Sequence, residues 1–192
     1  HGTNITLLNA ARKIDARAED LSGKIFITAG LGGMSGAQPK AGVIAKGICI
    51  VAEINPQATY KRHEQGWVDE VYKDLDKLLD RAITARTNKE AVSIAYDGNI
   101  VDLWERVVER NIHIEIGSDQ TSLHNPWAGG YYPVGMSYDA ANEMMANNPE
   151  EFKKEVQKTL IRHTNAINTL TEKGMYFFDY GNAFLLEASR AD

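Results

Sequence analysis

KIFITAGLGGMSGAQPKAGVIAKGICIVAE, residues 24–53, decides the fold, because it predicts a strand, a glycine-rich turn, a helix and a second strand in immediate succession. Ile25–Ile27 is a short apolar run of residues that favour β-structure. The helix is predicted over Ala37–Lys46, with Gly47 ending it, and the second strand over Ile48–Ile54. This order of elements is typical of a nucleotide-binding unit, in which the ligand lies at the turn.

The glycines of this turn are spaced to bring the backbone close to a ligand. Gly30, Gly32 and Gly36 follow a GxGxxxG pattern, and Gly33 is an additional glycine. Such a turn lets amide groups face a pyrophosphate, although the motif alone is equally compatible with a tight turn that binds nothing. Glu53, near the end of the second strand, favours the ligand, because an acidic side chain there accepts hydrogen bonds from ribose hydroxyls and repels a 2′-phosphate. The two features together predict a dinucleotide, NAD rather than NADP.

Composition narrows the class of protein. The chain has 192 residues, 43% hydrophobic and 24% charged, which is typical of one globular domain. A net charge of -5 gives no general attraction to nucleic acid or to anionic membranes, and no apolar run is long enough to span a bilayer. The single cysteine, Cys49, excludes an internal disulfide. We therefore expect a cytoplasmic protein without a nucleic-acid or membrane partner.

The rest of the chain alternates between helix and strand patterns. Alternation of this length predicts an α/β fold with an open parallel sheet of about five or more strands and helices on both faces. Residues 55–67 are predicted to be a loop or a short irregular helix, and Gln120–Tyr138 a long binding loop. The other predicted elements are helices over 5–17, 70–83, 100–110 and 149–173, strands over 91–96 and 112–119, and a strand, a turn and a last helix over 175–191.

The carboxyl ends of these strands are rich in glycine and polar residues. Ligands of parallel α/β sheets bind beyond those ends. We expect one crevice to gather Gly30–Gly36, Glu53, Asp97–Asn99 and Gly117–His124.

Groups for acid–base or nucleophilic chemistry are scarce. His63 and His124 lie in predicted loops, where a histidine can act as acid or base but more often only hydrogen-bonds locally. His113 is predicted in a strand and His163 on a helix, which favours structural roles. Neither a metal-binding spacing nor a nucleophile motif occurs, and Cys49 lies in an apolar strand, so we expect no metal and no catalytic cysteine. The residues predict a cofactor site without an evident catalytic group beside it.

Three segments, GLGGMSGAQPKA (30–41), SDQTSLHNPWAGGYYPVG (118–135) and FDYGNAFLLEA (178–188), closely resemble the urocanase family. The resemblance covers essentially all 192 residues and implies a single Rossmann-like NAD-binding domain over 1–192, normally inserted in a larger urocanase core. It implies the lyase urocanate hydratase of histidine degradation, which adds water to urocanate to give imidazolonepropionate with tightly bound NAD⁺ as electrophile. It also implies a homodimer for the full-length enzyme, and no activity for this chain alone.

The resemblance also assigns the NAD contacts. The family's motif with the active-site cysteine is absent, so the catalytic residues remain unknown. Shorter bacterial members have an arginine where this chain has Ala58, so that contact is either made by Lys61 or Arg62 or is lost. The expected cofactor-binding residues are Gly32, Gly33, Met34, Ser35, Gly36, Glu53, Asn99, Ile100, Gln120, Thr121, Ser122, Leu123, His124, Tyr131, Tyr132 and Tyr180.

Two other readings of the residues remain open. An NAD-dependent dehydrogenase domain would need a hydride acceptor site and a proton relay, which the sequence does not contain. A non-catalytic NAD-sensing or interaction module would need only the cofactor site.

Overall fold

The apolar runs predicted as strands form one parallel sheet. The computed structural model describes residues 2–31, 35–119 and 131–179, and these contain a six-stranded sheet in the order β3-β4-β2-β1-β5-β6, in which every pairing is parallel. The strands are β1 (Ile25–Ala29), β2 (Ile48–Glu53), β3 (Glu70–Tyr72), β4 (Val92–Asp97), β5 (Ile116–Asp119) and β6 (Tyr176–Asp179).

Helices connect the strands. Residues Ser35–Ala37 form a short 3₁₀ turn before α2. The α-helices are α1 (Gly2–Ile14), α2 (Gln38–Ile44), α3 (Pro56–Glu64), α4 (Leu75–Thr87), α5 (Ile100–Glu109), α6 (Tyr138–Asn147) and α7 (Pro149–Glu172).

Both faces of the sheet are covered by helices, as predicted. Alternate side chains of β1 point to opposite faces: Ile25 and Ile27 pack in one buried cluster with Trp104 of α5 and residues of α4 and α7. Phe26 packs in a second cluster with Leu7 of α1 and residues of α2. The α/β class, the parallel sheet and the two helical layers are therefore confirmed.

The spatial order of the strands reverses at β1, although all strands run in the same direction. Strand β1 pairs with β2 on one side and with β5 on the other, whereas β2 continues outward to β4 and β3. In open α/β sheets the crevice outside such a reversal is where ligands bind. The glycine-rich turn leaves the sheet at this point.

Strand β3 and helix α4 correct the predicted helix over 70–83. Glu70–Tyr72 is an edge strand paired with β4, and the helix begins only at Leu75, with the Asp74 carboxylate accepting from the amides of Asp76 and Lys77. The apolar Val71 continues the helical spacing by coincidence.

Other boundaries also differ from the prediction. Residues 56–64, predicted as a loop or irregular helix, form the regular helix α3, and α6 was not predicted at all. His113 precedes β5 rather than lying in it, because the strand begins at Ile116. The predicted turn and last helix after β6 lie outside the described residues.

Helix α2 is shorter than predicted, and Gly47 has a different role. The helix ends at Ile44, and Lys46, not Gly47, takes the left-handed backbone conformation with φ 66°. A side chain at Gly47 would bring its Cβ within 2.8 Å of Leu21 Cβ. Close packing therefore requires the glycine.

Cys49 is completely buried in the central strand β2. Its side chain lies against Gly42 of α2, where an added Cβ would be 2.8 Å from Cys49 Cβ. Burial raises the pKa of the thiol. The expectation of a small, inert core residue agrees with this position.

Candidate cofactor site

The carboxyl ends of β1, β2 and β4 meet at one edge of the sheet. The register pairs Ala29 with Ala52 and Glu53 with Asp97. The chain stays tied to the sheet just beyond those pairs, since the Gly30 amide donates to Ala52 O at 2.9 Å. Three of the four predicted strand ends are thus neighbours.

The glycine-rich turn is braced by an arginine from α3. Nε of Arg62 donates to the carbonyl oxygen of Leu31 at 3.1 Å. The same guanidinium lies against Gly36, where an added Cβ would be 2.6 Å from Nε. Arg62 therefore contacts the chain on both sides of residues 32–34, and only glycine fits at position 36 without displacing it. Gly32, Gly33 and Met34 lie outside the described residues, and Ser35 is the first residue of the 3₁₀ turn.

Glu53 is a partly buried carboxylate at the end of β2. Burial raises its pKa to about 7. Hydrogen bonds with the backbone of Leu31 and Ile54 act in the opposite direction and lower the pKa, but their effect is smaller. No arginine, lysine or histidine within the described ranges forms an ion pair with it. A carboxylate can accept about four hydrogen bonds, so Glu53 has acceptor positions beyond those two backbone bonds for the ribose that the sequence predicts.

Gln38, which was not predicted as a site residue, is buried directly after the turn. Its side chain is 1% exposed, yet among the described residues neither Oε1 nor Nε2 has a hydrogen-bond partner. An unmet buried carboxamide costs about 1–3 kcal/mol per group, which makes Gln38 a candidate contact for a ligand at the turn. The available signal in the sequence was its position directly after the glycine-rich turn.

Asn99 and Ile100 begin α5 after β4. The Asn99 side chain caps the helix by accepting from the Val101 amide at 2.9 Å, and its Nδ2 donates to Tyr132 O at 2.9 Å. Both ends of the carboxamide are used within the protein. Ile100 is 8% exposed and packs in the core. The structure thus places these two predicted site residues just beyond β4, with their side chains in contact with the rest of the protein.

Tyr131 and Tyr132 have different environments. Tyr131 is buried, and its hydroxyl lies 2.8 Å from Nδ1 of His163 on α7. Tyr132 is half-buried and donates to Asn142 Oδ1 at 3.0 Å. Burial raises the pKa of Tyr132 to about 12, and the neighbouring Tyr138 adds to the rise. Tyr131 therefore lies in the core, whereas Tyr132 is partly exposed.

The remaining predicted contacts fall outside the described residues. They are Gln120, Thr121, Ser122, Leu123, His124 and Tyr180. Among the described histidines, His63 hydrogen-bonds locally through Nδ1 to Val68 O at 2.9 Å.

Neither a metal cluster nor a membrane span occurs in the described ranges. There, no three histidine, cysteine, aspartate or glutamate side chains are grouped to hold a metal ion. No helix in those ranges is both long and apolar enough to cross a bilayer.

Comparison with known families gives a match over the full length. The family described as the urocanase Rossmann-like domain matches residues 1–192. The chain belongs to the urocanase family. A Rossmann-like domain of this family indicates a nucleotide cofactor, in agreement with the crevice at the ends of β1, β2 and β4.

Curated urocanase relatives match along the whole chain. A probable urocanate hydratase of Dictyostelium discoideum is 58% identical over 192 residues, covering 100% of this chain and 28% of the relative. The urocanate hydratase of Homo sapiens is 53% identical over 196 residues, covering 100% of this chain and 29% of the relative. A probable urocanate hydratase of Halobacterium salinarum is 36% identical over 181 residues, covering 94% and 31%. The chain thus spans about three tenths of the length of these relatives.

Proposed function

We propose that this chain is the NAD-binding domain of a urocanate hydratase, which adds water to urocanate to give imidazolonepropionate. The proposal is carried by the family match over residues 1–192, since the relatives matched over the whole chain bear that name. The activity belongs to a longer protein, because the chain spans only about three tenths of those relatives.

The cofactor is proposed to be NAD⁺, held at the carboxyl edge of the sheet. Glu53 would accept hydrogen bonds from the ribose, and its negative charge disfavours a 2′-phosphate. Arg62 supplies positive charge beside Gly36, at the turn that would receive the pyrophosphate. Of the two cations predicted to replace the missing arginine, Arg62 is favoured, because Lys61 is exposed. Gln38, the first residue of α2, supplies a carboxamide whose oxygen and nitrogen have no hydrogen-bond partner among the described residues.

When bound, NAD⁺ would supply an electrophile that accepts electron density from the substrate ring. The residues of this chain bind and orient it. Tyr132 is proposed to add an aromatic surface to the site, with its hydroxyl held by Asn142. None of the described side chains at this edge is placed as an evident general acid or base, so the groups that move protons are proposed to come from the rest of the enzyme.

The domain is proposed to be inserted in a larger core, in a homodimeric and cytoplasmic enzyme. Large apolar side chains are exposed on α1 and α2, two helices that contact each other: Ile5 is 58% exposed, Ile14 39% and Ile44 62%. A covering core would bury such surface.

Calorimetry with NAD⁺ and NADP⁺ tests the cofactor assignment. We expect NAD⁺ to bind and NADP⁺ to bind more weakly. Glu53→Ala should weaken NAD⁺ binding by roughly 1–3 kcal/mol, the scale of a hydrogen bond to a charged group. Equal binding of the two nucleotides, or of neither, would contradict the role of Glu53.

A second experiment tests the incomplete active site. The chain alone should not convert urocanate, whereas the full-length enzyme should. Robust turnover by the chain alone would show that the substrate groups lie within residues 1–192.

A further inference from the structure

A buried row of three polar side chains joins β5, α7 and the chain that follows residue 130. The Tyr131 hydroxyl lies 2.8 Å from Nδ1 of His163, and Nε2 of the same ring lies 3.5 Å from Oδ2 of Asp119. All three are deeply buried, at 3%, 0% and 1% exposure. One histidine therefore faces a tyrosine on one ring nitrogen and a carboxylate on the other.

The row is consistent with a neutral histidine in one tautomer. If the Tyr131 hydroxyl donates to Nδ1, the ring proton lies on Nε2 and faces Asp119. Burial raises the pKa of Tyr131, which keeps the hydroxyl proton, and lowers the pKa of His163 to about 3. Each nitrogen of the ring then has a complementary neighbour.

Helix α7 holds the same stretch of chain at a second point. One turn before His163, Oγ1 of the buried Thr159 accepts from the amide of Val134 at 3.1 Å. Tyr131 and Val134 are thus both fixed to one face of α7. Between them lies Tyr132, whose carbonyl oxygen accepts from Asn99 at the end of β4.

Burying three polar groups is costly, and apolar side chains could fill the same space. Transfer of such groups from water is unfavourable unless each finds a partner, and a carboxylate is the most expensive. The polar row fixes the geometry between specific atoms, which an apolar contact does not do. Asp119 and Tyr131 are the described residues on either side of 120–130, so the geometry fixed is that of the chain entering and leaving this stretch.

We infer that His163 is a positioning residue for the cofactor site: with Tyr131 on one ring nitrogen and Asp119 facing the other, it fixes the chain at Tyr131 and so the neighbouring Tyr132, whose carbonyl oxygen accepts from Asn99. The inference rests on the proposed NAD⁺ site, of which Tyr132 and Glu53 are members. His163 itself lies within the core and does not touch the cofactor.

Two variants test this role in the 192-residue chain, Tyr131→Phe and His163→Gln. The first removes only the hydroxyl, and the second keeps a donor and an acceptor in a different geometry. Ile167→Val, one turn along α7 and 4% exposed, is the matched control, because it removes a buried methyl group from the same helix and leaves the three polar side chains in place. NMR of ¹⁵N-labelled chain gives amide hydrogen exchange without ligand and, by titration, the affinity for NAD⁺.

We expect the Val134 amide, which donates to Thr159, to exchange faster in both variants than in the control. Both variants should also bind NAD⁺ roughly tenfold more weakly, the effect of one lost hydrogen bond. Unchanged exchange at this amide would overturn the inference. So would faster exchange with control-like affinity, because the row would then only stabilise the fold. Absence of NAD⁺ binding by the unmodified chain would instead remove the proposed function, and with it the positioning role.

Discussion

Arg62 and Leu31 lie on different elements, and Nε of Arg62 donates a 3.1 Å hydrogen bond to the Leu31 carbonyl oxygen. This bond places a cation of α3 at the glycine-rich turn that follows β1. A turn that receives a diphosphate needs both open backbone and nearby positive charge. The two requirements are met here by different parts of the chain.

Arg62→Gln should weaken NAD⁺ binding by about 1.5–3 kcal/mol, because a charge-assisted hydrogen bond and the brace of the turn are both lost. Lys61→Gln removes an adjacent exposed cation and is the matched control, with little change expected. Isothermal titration calorimetry measures both. Equal effects of the two substitutions would mean that only general charge matters.

Gln38→Met should change stability and binding in opposite directions. The free chain should become more stable by about 1–3 kcal/mol, because a buried carboxamide without a partner among the described residues is replaced by an apolar side chain of similar size. NAD⁺ binding should weaken. Urea unfolding and calorimetry measure the two effects, with Gln57→Met, an exposed glutamine of α3, as the control. A loss of stability would show that the carboxamide is already hydrogen-bonded in the free chain.

Glu53 should make the free chain less stable as the pH rises from about 4.5 to about 7. Its pKa in the folded chain is raised to about 7 by burial, above the ordinary value of 4.5, so folding disfavours the ionised form. Stability from this group is complete below pH 4.5 and falls by up to about 3 kcal/mol as the carboxyl ionises. Glu53→Gln should abolish that fall in urea unfolding across this range, whereas Glu64→Gln on the exposed face of α3 should not. Parallel pH profiles for all three proteins would contradict the prediction.

His163 should stay neutral in the folded chain at pH 5. Burial lowers its pKa to about 3, below the ordinary 6.5, so the unfolded chain binds the proton first. Its contribution to stability is present above pH 6.5 and is lost as the pH falls toward 3, by up to about 1.4 kcal/mol per pH unit relative to His163→Gln. Histidine ring NMR should show a neutral ring protonated on Nε2, and a protonated ring in the urea-unfolded chain. A doubly protonated ring at pH 5 in the folded state would exclude this environment.

The strands and long helices were predictable because their apolar runs are long and their spacing is regular. Strand β3 was not, because Glu70–Tyr72 is a short edge strand whose one apolar residue, Val71, also fits the helical spacing of α4. Helix α3 carried a usable signal, an Asn55 cap followed by Pro56, but its polar composition concealed it.

The candidate site was predictable where it follows the strand ends and not where distant elements meet. Glu53 and Asn99 follow their strands directly. By contrast, Arg62 reaches the turn only because α3 folds back over it, and His163 meets Asp119 and Tyr131 only because α7 packs beside β5. Such partners depend on the tertiary arrangement, which periodicity does not encode.

Cys49 can serve as a built-in probe of how often the helical layer on one face of the sheet opens. It is the single thiol of the sequence, and its buried side chain lies against Gly42 of α2. A thiol reagent can reach it only when α2 and the residues packed beside it move away from the sheet, so the labelling rate measures the free energy of that opening without any introduced probe. A ligand that binds across the ends of β1 and β2 should slow the labelling in proportion to its occupancy.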